Sequence, residues 1–157
     1  LMGIPSFDTP DYSELFSEEK EMIKKLKKTF LMVAGGAVQK YGPQLEEHQQ
    51  LLIAAADILI EIYMAESSIL RTEKNVKRTS QKEHLAQIAM AKLYLYHAVD
   101  TVEEKGKESI ISFAEGDEQR MMLMGLKRFT KYANYPDIVD LRIEIAEKVK
   151  EENGYCF

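Results

Sequence analysis

The residues able to do chemistry are few, and the spacing of most of them argues against a reaction centre. Asp57 and Glu61 stand four apart inside Leu51 to Leu70, LLIAAADILIEIYMAESSIL. On a helix they place two like charges on one side of a largely apolar element. Such a pair can raise a carboxyl pKa and serve as a proton acceptor. The plainer reading gives each a Lys, Arg or Tyr partner, or a path to solvent. His48, His84 and His97 invite a di-iron reading, because a carboxylate-bridged site in a helical bundle needs Glu-x-x-His on two helices. The residues three before them are Leu45, Gln81 and Tyr94. None can supply that carboxylate, so no metal ligand is assigned and three ordinary histidines are expected. Gly35-Gly36 lies inside a helical pattern rather than after a strand, and so forms no phosphate loop. No nucleophile elbow is present, and no Cys/His arrangement outside Cys156, next to the end.

Charge placement is more informative. Lys20, Lys24, Lys25, Lys27 and Lys28 crowd one stretch, and Arg71, Lys74, Lys77, Arg78 and Lys82 another. If the helices bearing them run antiparallel, both clusters fall at one pole. The plain reading is a solvated end. The sharper one is a docking pole, carried by Lys24, Lys25, Lys28, Lys77 and Arg78, for an acidic surface: another domain, anionic lipid or a phosphate-bearing ligand. The net charge of −5 and the pI near 5.3 argue against nucleic acid as the partner. Met121, Met122 and Met124, with Leu123 and Leu126, form a soft apolar patch. Core filling is its commoner use, binding of a partner or an acyl chain the rarer one.

These residues need elements to hold them. A chain of 157 residues is one ordinary domain, able to bury about 70% of the surface its unfolded form exposes. Leu51 to Leu70 is long enough to cross a bilayer, but Asp57, Glu61 and Glu66 would each cost about 3 kcal/mol there. It is read instead as a helix walled in by its neighbours, with Asp57, Glu61, Met64 and Ser68 forming a narrow outlet to solvent. Residues 1–16 hold two prolines and no helical period, so an extended lead-in is expected, docking some of Met2, Ile4, Phe7, Tyr12, Leu15 and Phe16 on a bundle formed by 17–157.

Helix one is expected from Ser17, as N-cap, to Tyr41, ended by Gly42-Pro43. Helix two should run from about Gln44 to Asn75, antiparallel to it, with Leu51 and Leu52 beside Ala34 to Gly36 and Phe30 beside Ala54 to Ala56. Helix three, about Gln81 to Ala114, should bury Leu85, Ile88, Ala89, Leu93, Tyr96, Val99, Val102 and Ile110, with a kink at Gly106. Asp117 should cap helix four, about Glu118 to Tyr132. Helix five, about Asp137 to Asn153, should bury Ile138, Leu141, Ile145 and Val149. The expected fold is all-α, an antiparallel bundle of about five helices, three long and two shorter.

The ends carry their own expectations. Cys156 has no internal disulfide partner, which fits a reducing compartment. Gly154 occupies the position that prenylation requires to be cysteine. No secretory signal opens the chain, and a start at Leu1 implies a segment of a longer protein.

Within this frame, several stretches resemble the additional C-terminal helical domain of acyl-CoA dehydrogenases of the very-long-chain type, in particular the longer bacterial members. They are His48 to Leu52, HQQLL; Ala56 to Tyr63, ADILIEIY; Ala65 to Arg71, AESSILR; Ile110 to Tyr132; and the terminal NGYCF. The likeness runs from about Glu18 to Phe157. It implies a parent flavoenzyme that uses FAD to introduce a trans-2,3 double bond into acyl-CoA thioesters during fatty acid β-oxidation. Electrons then pass to an electron-transferring flavoprotein. In that family the catalytic carboxylate and flavin contacts belong to the preceding core, so no catalytic or cofactor-binding residue is assigned here. This segment would pack on the parent's own core, help assemble a homo-oligomer, or meet a membrane or partner. Localisation in the bacterial cytoplasm, peripheral to a membrane at most, is the corresponding expectation. Animal members carry a basic amphipathic segment before this domain, whereas residues 1–16 hold no Lys or Arg. An apolar patch should mark where the core is missing. The competing reading is a free-standing helical interaction or ligand-binding module, with a cavity instead of a patch. An independent enzyme is hardest to support.

Overall fold

The computed structural model describes residues 15–154. Five α-helices, α1 (Ser17–Tyr41), α2 (Gln49–Arg78), α3 (Leu85–Phe113), α4 (Gly116–Phe129) and α5 (Ile138–Glu152), form an all-α bundle without a strand among the described residues. Two 3-10 helices, Gly42–Glu47 and Gln81–His84, join the three long ones. No helix is long and apolar enough to cross a membrane, among the described residues.

α3 is the hub, touching all four other helices, and α2 packs most extensively against it. Leu26, Val33, Ile58, Ile69, Leu95 and Ile110 are fully buried at the centre. Leu15 and Phe16 also pack on this core, whereas Met2, Ile4, Phe7, Tyr12 and Cys156 lie outside the described residues.

Helix starts differ from the expected ones. Ser17 makes no cap: Phe16, buried and left-handed at φ 66°, turns the chain into α1, and its carbonyl accepts from Lys20 N–H. Gly42, at φ 52°, does end α1, but Pro43 then opens a 3-10 turn, so α2 starts at Gln49 rather than Gln44. Tyr41 stacks on His48 at 3.6 Å across this turn. The inserted turn shifts the α1–α2 register. Lys20–Glu73 at 2.8 Å and Lys27–Glu66 at 2.6 Å set the two helices antiparallel. By that register Leu51 lies level with Tyr41, and Phe30 with Tyr63, rather than with the small residues first expected. Asp117 sits in the first turn of α4 without a capping bond. Asp137 does cap α5, its Oδ1 accepting from Val139 and Asp140 N–H at 3.0 and 3.1 Å.

Glycines set two close approaches. α3 is continuous through Gly106, which does not end or split it; a Cβ there would meet Leu126 of α4 at 2.9 Å. A Cβ on Gly36 would meet Phe113 of α3 at 2.8 Å and Met122 of α4 at 2.9 Å, so the neighbours it admits are not on α2.

Core assignments held in part. On α3, Leu95, Ala91 and Ala98 are buried, while Leu85 is exposed and Leu93 and Tyr96 are half-buried. A helix packed on several sides buries a broad arc, and a single stripe picks its wrong edge. On α5 no residue is buried and Val149 is exposed. α5 rests on α3 alone among the helices, so one neighbour covers too little of it.

The largest correction concerns Leu51 to Leu70, which is not walled in. Leu51, Ala54, Ile58, Ile62, Ala65 and Ile69 form one buried stripe. The opposite side is open: Ile53 is 55% exposed, Ile60 57% and Tyr63 67%.

Candidate functional site

Outward apolar residues on α2 are what the fold leaves without a partner. Leu52, Ile53, Leu59, Ile60, Tyr63 and Met64 recur at helical spacing on the side away from α3, and Leu70 continues the row. Leu31 and Val38 of α1 are also exposed, and the Lys27–Glu66 register places them beside the Leu52–Tyr63 edge. A contiguous apolar surface of this extent usually marks a contact with another molecule.

The carboxylates expected to open the helix to solvent instead tie it to its neighbours. Glu61 accepts from Tyr94 Oη of α3 at 2.9 Å, and Glu66 pairs with Lys27 of α1. Asp57 is half-buried on the same flank as Glu61. Burial, reinforced by the Glu61 hydrogen bond and charge, pushes the Tyr94 hydroxyl from 10.0 up to about 12. In the unfolded chain the proton leaves first, so stability falls as pH rises through 10.0 toward 12. Tyr94→Phe should flatten part of that fall, as read by denaturant melts across alkaline pH. The Tyr132 hydroxyl is buried without a hydrogen-bond partner among the described residues, and its pKa is also raised, chiefly by burial.

Histidines are scattered. His48 stacks on Tyr41, His84 Nε2 lies 2.8 Å from Thr79 Oγ1, and His97 meets the edge of Tyr96. Among the described residues no three of His, Cys, Asp or Glu gather as metal ligands. The Met patch divides: Met121 and Met124 are exposed, Met122 and Leu123 are half-buried against the core, and Leu126 is buried.

The two basic clusters do share one pole, but carboxylates thread it. Glu73 receives Lys20 at 2.8 Å and Lys77 at 3.1 Å. Lys24 pairs with Glu21, and Lys25 Nζ donates to the Lys131 carbonyl at 3.3 Å. Lys28 and Arg78 are exposed. The Lys20 hydrogen bond, with that of Lys77, holds the Glu73 carboxyl below its ordinary 4.5 despite burial. A carboxylate held low stabilises the fold above its unfolded pKa and loses that contribution as pH falls through the folded one. Glu73→Gln should therefore cost about 1 kcal/mol at neutral pH, and the gap to the native chain should close below about pH 4, as read by urea melts.

Between α2 and α3 a groove of about 430 Å³ is lined by Arg71, Asn75, Gln87, Met90 and Tyr94 among others. It holds no nucleophile with an adjacent base.

With this geometry in view, comparison with known proteins decides the family. Residues 25–128 match the family described as acyl-CoA dehydrogenase, C-terminal domain. The chain belongs to that family.

A probable acyl-CoA dehydrogenase of Bacillus subtilis (strain 168) is 32% identical over 143 residues, which is 91% of this chain and 24% of that protein. The crystal structure of an acyl-CoA dehydrogenase complexed with FAD from Bacillus anthracis superposes with a TM-score of 0.87 at 34% identity. That match covers 92% of this chain and 25% of the other. The chain thus spans about a quarter of the length of these relatives. The acyl-CoA dehydrogenase resemblance and the helical bundle read from the sequence both stand.

What the sequence reading missed is the outward face of α2. A signal was present: none of the residues that point outward between Gln49 and Leu70 is charged, and Asp57, Glu61 and Glu66 all lie on the flanks.

Proposed function

We propose that this chain is a noncatalytic C-terminal domain of an FAD-dependent acyl-CoA dehydrogenase, of the very-long-chain type, whose parent oxidises acyl-CoA to trans-2-enoyl-CoA in β-oxidation. One observation carries this reading: the outward side of α2 is a continuous uncharged surface on a chain that spans a quarter of its relatives. A face of this kind is what a domain keeps for assembly, against its own core or another subunit. Family membership supports FAD for the parent, since the Bacillus anthracis relative is an FAD complex. Within this chain no residue is assigned to flavin, substrate or electron-transferring flavoprotein. The bacterial cytoplasm remains the expected compartment.

The test is direct. The purified 157-residue chain, mixed with acyl-CoA and a dye acceptor, should show neither flavin colour nor turnover, while the whole parent should show both. Flavin bound to the chain alone overturns the reading, and so does a parent gene that encodes no dehydrogenase core.

The basic pole supports a lesser role in meeting an acidic surface, with Lys28 and Arg78 its most open cations. Anionic vesicles should bind the chain more weakly once Lys24, Lys25, Lys77 and Arg78 are changed to Glu, and unchanged binding in low salt removes this role.

A further inference from the structure

The outward side of α2 has segregated charges as well as apolar bulk. From Gln49 to Leu70 every exposed residue is uncharged. Acids come just before, at Glu46 and Glu47, exposed at the end of the 3-10 helix. Bases come just after, at Arg71, Lys74 and Arg78, exposed in the last turns. No ion pair joins any of these five to another described residue. The helix dipole favours acid first and base last, but it gives no reason for an apolar interval about 32 Å long between them.

We propose that this face is an isologous interface between two copies of the chain, with α2 packed antiparallel against α2 of the second copy about a two-fold axis near Ile60. Antiparallel pairing brings Glu46 and Glu47 of each copy beside Arg71 and Lys74 of the other. Parallel pairing would stack acid on acid and base on base. The two-fold doubles every such contact, so a surface carrying both signs at opposite ends of one uncharged strip complements itself. Around the axis, Ala56 of one copy meets Tyr63 and Met64 of the other, small against large. The surface of a dehydrogenase core has no need to match this pattern, which is why the second copy is the better occupant. The contact is one helix pair, small among specific interfaces, so dissociation in the micromolar range is expected. This inference rests on the reading of α2 as an assembly face.

Sedimentation velocity on the 157-residue chain across micromolar concentrations tests it. The native chain should dimerise. Glu46→Lys with Glu47→Lys should weaken the dimer by about tenfold or more, as should Arg71→Glu with Lys74→Glu. The combination of all four should restore it to within about threefold, because every interfacial pair is then reversed but still matched. Ile60→Asp should give monomer, with circular dichroism checking that each variant stays helical. A native chain that is monomeric throughout overturns the proposal, as does a combined variant no tighter than either half, or an Ile60→Asp dimer. Adding the separately produced flavin-bearing core distinguishes the two readings. A monomer that binds the core defeats the two-fold interface and leaves the domain assignment standing. A charge-swappable dimer from a gene without a dehydrogenase core does the reverse.

Discussion

Ile58→Asp should leave the chain unfolded at room temperature, whereas Ile60→Asp, two residues along the same helix, should fold. Ile58 is 0% exposed and Ile60 57%. Removing the Ile58 side chain forfeits its transfer free energy and opens a cavity, about 2–5 kcal/mol for truncation alone. The carboxylate placed there has no cation to meet among Leu26, Ile62, Ala65 and the rest of the core cluster, which adds several kcal/mol more. The sum rivals the whole stability of a domain, about 5–15 kcal/mol. At Ile60 the new charge stands in water, and the expected change is within about 0.5 kcal/mol when the measurement is made dilute enough for the chain to be monomeric. Circular dichroism with urea titration reads both. If both variants unfold, the helix is covered on two sides and the outward face does not exist.

Adjacent glycines should respond with opposite signs. Gly35→Ala should stabilise the chain by about 0.5–1 kcal/mol, since alanine is the better helix former and nothing lies within 4 Å of the added carbon. Gly36→Ala gains the same propensity but drives its methyl against two side chains at under 3 Å. Met122 Cε is the end of a flexible chain and can swing away. The Phe113 ring is 3% exposed and held by the core, so it cannot yield without moving α3. Overpacking of this kind costs about 1–3 kcal/mol, which offsets the propensity gain and leaves Gly36→Ala less stable than the native chain. Thermal melts of the two variants side by side give the sign of each. A Gly36→Ala chain that gains stability would place Phe113 away from α1.

The helices themselves were legible because their signals are local. Apolar positions recur at helical period, Gly42-Pro43 stops α1, and Asp137 offers a side-chain oxygen to the first N–H groups of α5. Starts were less legible. Ser17 and Asp117 are good capping types, but Phe16 and Glu115 hold the backbone conformations that begin α1 and α4. A cap depends on the dihedral angles as much as on the side chain. The register of α1 on α2 was lost for a similar reason: the 3-10 turn after Pro43 displaces the pairing, and only the Lys20–Glu73 and Lys27–Glu66 pairs reveal by how much.

What the amino acids alone determined was an all-α bundle, the family it resembles, and the lack of any assigned reaction centre, all properties of residue type and spacing along one chain. Which side of α2 faces inward was decided by tertiary structure. A helix apolar around its whole circumference contains no record of which neighbour covers each side, because burial by its own chain and burial by another select the same residues. Packing against α3 and α1 settled the matter by covering Ile58 and Ile62 and leaving Ile53, Ile60 and Tyr63 outside. Glu61 and Glu66 found Tyr94 and Lys27 on the flanks, and the helix was left with an apolar outward face.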